Sequence, residues 1–218
     1  MNAKILSISE NKNLYKIAFG LAIFTILYNI AEGLISTFLG YQDESLALFG
    51  FGTDSFIEVI SGLGIAQMIL RIQKQPESNR NNFERTALRI TGFSFYGLVV
   101  GLVVSGIYNI WTGQKPETTF WGIIISVISI LIMWVLYLAK RSVGKKLDSD
   151  PILADAECTK VCFYMSIILL ISSGLYELAH IPYIDSIGAI GLAFFAFKEG
   201  RECFEKAKSD KYCCSHCN

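Results

Sequence analysis

Six apolar stretches, near residues 14 to 39, 46 to 71, 87 to 113, 119 to 139, 152 to 177 and 184 to 200, are the feature that most restricts this chain. A helix of about 20 apolar residues crosses a hydrocarbon core about 30 Å thick. In hydrocarbon, only helices and closed barrels satisfy every backbone N–H and C=O internally. The stretches use up most of the 218 residues, and with a mean hydropathy of +0.44 no soluble domain of ordinary size is left over. The predicted fold is therefore all-α: a polytopic membrane protein of six transmembrane helices. It divides into an N-terminal segment (1–13), a six-helix transmembrane domain (14–200) and a tail (201–218).

The net charge of zero hides an alternation that orients the spans. Lys4, Lys12 and Lys16 precede the first; Arg71, Lys74, Arg80, Arg85 and Arg89 separate the second from the third; Lys140, Arg141, Lys145 and Lys146 separate the fourth from the fifth. The other connections hold Lys115 as their one cation. Short cytoplasmic loops retain Lys and Arg, so both termini are expected in the cytoplasm, and in a prokaryote the membrane is the inner one. The first apolar run is too long for a signal-peptide core and has no small-residue cleavage site, so it is expected to stay as an anchor. All six cysteines fall within the spans or on the predicted cytoplasmic side, which favours thiols over structural disulfides. The connector from Arg71 to Arg89, with Pro76 and three asparagines, reads as a hinge whose charges set topology.

Within this apolar frame stand two pairs of metal-binding side chains, Asp54 with Glu58 and Cys158 with Cys162. A four-residue spacing puts both members on one face of a helix, and carboxylates in hydrocarbon are costly enough to imply a task. At about 1.5 Å per residue, Asp54 and Glu58 lie roughly 12 to 18 Å below one surface and the two cysteines roughly 9 to 15 Å from the other, which is the same midplane. Two carboxylates and two thiolates make a four-ligand set suited to a borderline or soft divalent ion, zinc or cadmium, rather than magnesium or calcium.

These residues carry a family resemblance. The run Ser45-Leu-Ala-Leu-Phe-Gly-Phe-Gly-Thr-Asp-Ser-Phe-Ile-Glu58 resembles the second transmembrane helix of cation diffusion facilitators, in which a His or Asp followed four positions later by Asp binds zinc. Leu153-Ala-Asp-Ala-Glu-Cys158, continuing to Cys162, is similar to that family's fifth helix, where Ala-Asp-Ala precedes a His-x-x-x-Asp pair. Asn29 and Glu32 in the first span and Ile184-Asp185 opening the sixth are weaker matches. The chain differs at Phe51, where the family usually has a small acidic residue, and in using Cys for the fifth-helix pair. It resembles a shorter branch, expected to lack the C-terminal cytoplasmic domain and to end in a cysteine-rich tail.

The remaining polar residues have plainer readings. Asp155 shares a face with Cys158 and reads as a further ligand, an acceptor behind the ligands, or a cap at the start of span 5. Glu157 and Lys160 are spaced to pair with each other. Glu32 either guides ions or answers a polar group on a neighbouring helix. Asp185 sits where a carboxylate offsets a helix dipole, and His180 reads as an interfacial loop residue. Gly50, Gly52, Gly62 and Gly64 in span 2, and Gly97, Gly101 and Gly106 in span 3, favour close helix approach. Tyr41, Trp111, Trp121 and Tyr183 form an expected interfacial belt. In the tail, Cys213, Cys214, His216 and Cys217 supply a soft-metal ligand set, expected to act as a flexible chelator, and residues 198 to 212 to prolong span 6 as a solvated helix.

Together these features lead to the expectation of a divalent transition-metal transporter, for zinc first and cadmium or another soft ion second. It exports from the cytosol by proton-coupled alternating access, with no covalent catalysis and no obligatory cofactor. Expected partners are metal ions, protons and the bilayer, with a homodimer admissible and nucleic acid excluded. The alternative is a membrane metal sensor or buffer without turnover.

Overall fold

The computed structural model describes residues 2–74, 82–181 and 183–208. Six helices follow one another: α1 (Asn2–Gln42), α2 (Leu46–Lys74), α3 (Asn82–Thr112), α4 (Phe120–Lys146), α5 (Asp150–Ala179) and α6 (Ile184–Lys208). No strand occurs among the described residues. Helices α1 to α5 each contain a stretch long and apolar enough to cross a membrane. The second half of α6 departs from that pattern, because Lys198, Glu199, Arg201, Glu202, Glu205 and Lys206 crowd one short run.

Three pairings organise the bundle: α1 against α2, α4 against α5, and α3 against α6. The first two join neighbours in sequence, as short connections require of antiparallel helices. The third joins helices separated by α4 and α5, and α2 ties it to the rest through contacts with α3, α5 and α6. The larger apolar core is built from Leu48, Phe95, Leu102, Met165, Leu169 and Leu192 among others. A second core, nearer the chain termini, sets Ala18, Ala22 and Ile26 of α1 against Ile69 of α2, Val143 of α4 and Ile152 of α5. Large apolar side chains such as Phe24, Phe38, Val104 and Phe194 point outward, as the lipid-facing surface of a membrane bundle demands.

Close helix approach falls on α2 and not evenly on α3. A Cβ on Gly52 would lie 2.6 Å from the Thr37 amide nitrogen, so α1 and α2 meet there backbone to backbone. Gly50 and Gly62 instead make room for the side chains of Leu102 and Ile26. Gly97 and Gly101, by contrast, have nothing within 4 Å of where a Cβ would stand, which corrects the expectation that they serve packing.

Three terminal features also differ from the sequence reading. Asp185 offsets a dipole, but chiefly that of another helix: its carboxylate accepts from the Leu46 amide (2.7 Å) and the Ala47 amide (3.3 Å) at the start of α2, and from the Ser45 hydroxyl (2.6 Å). The stretch beyond residue 198 is not simply solvated, since Glu199, Cys203, Lys206 and Ala207 are buried. Arg85, at the start of α3, donates to the Ala207 carbonyl at 2.9 Å and fastens that end of α6. His180 is the left-handed C-cap of α5 (φ 51°), with its ring stacked on Tyr176. The four aromatic residues of the expected belt, Tyr41, Trp111, Trp121 and Tyr183, are all exposed near the ends opposite the termini.

Candidate metal site

All six helices contribute to a cavity of about 100 Å³, α3 through Ala87, Leu88 and Phe95 and α4 through Lys140, and its polar lining comes from residues that an apolar bundle would otherwise exclude. At one end lie Asn29, Glu58 and Cys162. One oxygen of the Glu58 carboxyl accepts the Cys162 thiol, and the other accepts the Asn29 amide at 2.7 Å. A carboxyl group from α2 and a thiol from α5 therefore meet directly, as the equal depth of the two pairs predicts. Asn29 holds the carboxyl from behind, so the oxygen facing the thiol has a fixed direction.

The outer members of the two pairs are placed differently. Asp54 is 2% exposed, and its Oδ1 has no hydrogen-bond partner, yet Asp54 is not among the side chains lining the cavity. Cys158 lines the cavity one turn from Cys162, and its sulfur accepts from Lys206 of α6 at 3.4 Å. Among the described residues, no three His, Cys, Asp or Glu side chains are gathered closely enough to hold an ion. The structure thus joins Glu58 to Cys162 but does not assemble all four side chains at one point.

Negative charge is concentrated around this junction. Asp54 lies within electrostatic range of Glu58, Glu199 and Glu32, and carboxylates crowded in a low-dielectric interior require protons or a cation between them. Glu32 answers neighbouring polar groups, accepting from the Tyr28 hydroxyl (2.7 Å) and the Ser55 hydroxyl (3.1 Å). Ser166 donates to the Cys162 carbonyl at 2.8 Å and lies 2.9 Å from Ser129 on α4, which positions the cysteine-bearing turn of α5.

Asp155 is neither a helix cap nor part of the Glu58–Cys162 junction. α5 begins after Ser149, five residues earlier, and the Asp155 carboxylate pairs with Lys140 at 3.0 Å. The Lys140 ammonium also donates to Thr159 at 2.9 Å, which closes a buried α4–α5 link. Glu157 and Lys160 pair at 3.2 Å as their spacing foretold, and the Lys160 ammonium stands 6.0 Å from the Tyr137 ring. The tail residues Cys213, Cys214, His216 and Cys217 lie outside the described residues.

Among the cavity-lining side chains that the sequence reading passed over are Glu199, Cys203 and Lys206 of α6. Their spacing of four and three residues is the signal that places them on one helical face. The surrounding charges concealed it by making the segment read as solvated.

A curated relative, an uncharacterized transporter from Methanocaldococcus jannaschii, is 25% identical over 181 residues; the match covers 81% of this chain and 63% of the relative, so the chain spans less than two thirds of that protein's length. The model of the cation efflux transmembrane domain matches residues 21–210, from the middle of α1 through α6. The chain belongs to the cation efflux family, as an integral multi-pass membrane protein built on that family's transmembrane domain.

Proposed function

We propose that this protein carries a divalent transition metal, zinc first and cadmium second, across the membrane, with Asp54, Glu58, Cys158 and Cys162 as the ligands of the transported ion. The observation that carries this reading is the Glu58–Cys162 contact across α2 and α5, backed by Asn29 and lining the cavity. Asp54 and Cys158 stand one turn before Glu58 and Cys162 on the same two helices, so a modest rearrangement of α2 against α5 completes a mixed oxygen and sulfur shell. That shell is the loaded state.

Export with proton exchange follows from the ligand chemistry. Carboxylates and thiolates bind metal only after losing their protons, so proton and ion compete for the same atoms and an inward proton gradient favours release outside. Antiparallel helices from the two halves of the chain supply the ligands, which suits access alternating between the two sides. In this reading the termini face the cytosol and the tail thiols capture metal there.

The test is zinc binding and zinc flux in proteoliposomes for the parent, Glu58→Gln and Cys162→Ser. Both variants are expected to fold and to lose flux, and Asn29→Ala to weaken zinc binding by about 10- to 100-fold, as loss of a group that orients a ligand does. Parent protein that binds zinc but gives no flux would be a sensor or buffer. Unchanged affinity in both ligand variants would remove the site.

A further inference from the structure

The cavity extends past the midplane junction to a second cluster that the proposed transport site does not use. On α6, Glu199, Cys203 and Lys206 recur at helical spacing and face the cavity. Cys203 is 5% exposed and lies within electrostatic range of Cys158, Glu199, Glu202 and Lys206. The Lys206 ammonium, itself buried, is 3.4 Å from the Cys158 sulfur and 3.6 Å from Glu202. Cys158 of α5 is therefore held against the turn of α6 that carries Cys203. The two thiols line one cavity within electrostatic range of each other across the α5–α6 interface, on the side of the Glu58–Cys162 junction nearer the chain termini.

We propose that Cys158 and Cys203 form a second, two-thiolate site, sharing Cys158 with the transport site, for a soft d¹⁰ monovalent ion, copper(I) or silver(I). Thiolate pairs select such ions over zinc, and two ligands suffice where no third His, Cys, Asp or Glu side chain is gathered among the described residues. Two thiolates around a monovalent ion leave one net negative charge, which is costly in the interior of the bundle unless compensated. Lys206 supplies that compensation, and its N–H group can still donate to a metal-bound sulfur.

Cys158 belongs to both clusters. It stands one turn before Cys162, so a soft ion held by Cys203 and Cys158 can pass to Cys158 and Cys162 by exchanging one sulfur at a time. This handover rests on the transport reading above, whereas binding at the thiolate pair does not.

The experiment uses the full-length chain with Cys213, Cys214 and Cys217 replaced by Ser, so that the tail does not compete. Silver(I) and cadmium(II) are each titrated into detergent-solubilised protein, and affinity and the shift in melting midpoint are recorded. Silver is expected to bind one site, Cys203→Ser to weaken silver at least tenfold while leaving the cadmium shift intact, and Cys162→Ser to do the reverse. The retained cadmium shift shows that Cys203→Ser is folded, and Cys203→Ala serves if it is not. Undiminished silver affinity in the Cys203 variants, or equal loss of silver binding in Cys162→Ser, overturns the proposal. Failure of cadmium to respond to Cys162→Ser, with silver still dependent on Cys203, would instead overturn the midplane reading alone.

Discussion

Asp185, the second residue of α6, accepts a hydrogen bond from the Leu46 amide, the first residue of α2, across 139 positions of sequence. The same carboxylate takes the Ser45 hydroxyl, whose oxygen in turn accepts the Leu48 amide at 3.2 Å. One side chain thus satisfies the opening turn of the helix that carries Asp54 and Glu58, and holds it beside the opening turn of α6. Orphan amides at a helix start carry partial positive charge, which a carboxylate offsets best.

Replacing Asp185 with Ala leaves these donors buried without a partner. The expected cost is about 2 to 4 kcal/mol, above an ordinary cap loss because several donors are affected. For a chain of this size the melting midpoint in detergent should fall by roughly 5 to 10 °C. Zinc affinity of the folded fraction should be unchanged, since Asp185 is not among the residues lining the cavity. A selective loss of zinc binding without a change in melting would show that Asp185 serves the ion and not the fold.

The glycines provide a second, sharper contrast. Adding a methyl group at Gly52 drives it into the backbone of Ser36 and Thr37, so α1 must move away from α2. Gly52→Ala is expected to cost about 1 to 3 kcal/mol and to loosen the Asn29–Glu58 bond, lowering zinc affinity as well. At Gly101 the same change meets open space and improves helix propensity, so stability should hold or rise by about 0.5 to 1 kcal/mol. Paired melting and zinc titrations decide the matter: equal effects at the two positions would contradict the described α1–α2 contact.

The all-helical bundle and the meeting of Glu58 with Cys162 are legible in the sequence because each depends on a short-range count: the length of an apolar run, or a spacing of four along a helix. The depth argument works because a membrane fixes the height of every residue. What cannot be read this way is azimuth. Nothing local distinguishes Asp54, turned away from the cavity lining, from Glu58, turned into it. Nothing local shows that Asp185 would serve α2 more than α6. The inward face of α6 escaped for a different reason: Lys198, Arg201, Glu202 and Glu205 surround Glu199, Cys203 and Lys206, and the average over the segment hides the buried face. The weak first-span match at Asn29 gains its meaning only from the bond to Glu58.

Lys140 and Asp155 supply a third prediction. The Lys140 ammonium is buried with Asp155 and Thr159 as its named partners. Asp155→Ala strands that charge and is expected to cost about 3 to 5 kcal/mol, whereas Lys140→Met combined with Asp155→Leu removes both charges and should recover most of the loss. The double variant should still bind zinc at the midplane, because the pair, although it lines the same cavity, bonds α4 to α5 and makes no hydrogen bond to Glu58 or Cys162. Loss of zinc binding in a well-folded double variant would return Asp155 to the ligand set.

At the opposite end of the bundle, Asp43 links charge to pH. It lies in the short connection between α1 and α2, and its carbonyl accepts the Glu117 amide at 3.0 Å. One carboxyl oxygen, Oδ2, is buried without a hydrogen-bond partner. Burial first, and then the negative charges of Glu117 and Glu177, push the Asp43 carboxyl above the usual carboxylate range. A carboxyl whose value is raised by folding stabilises the fold fully below its unfolded value, near pH 4, and loses that contribution as pH rises through the folded value. Asp43→Asn cannot ionise and escapes the loss. Relative to the parent, the variant's melting midpoint should therefore improve on going from about pH 4 to about pH 7, with the change concentrated just above the usual carboxylate range. Thermal unfolding of both proteins in one detergent across that interval is the measurement, and a difference that instead moved in the parent's favour as pH rose would mean that the ionised carboxylate is welcome at this corner of the bundle.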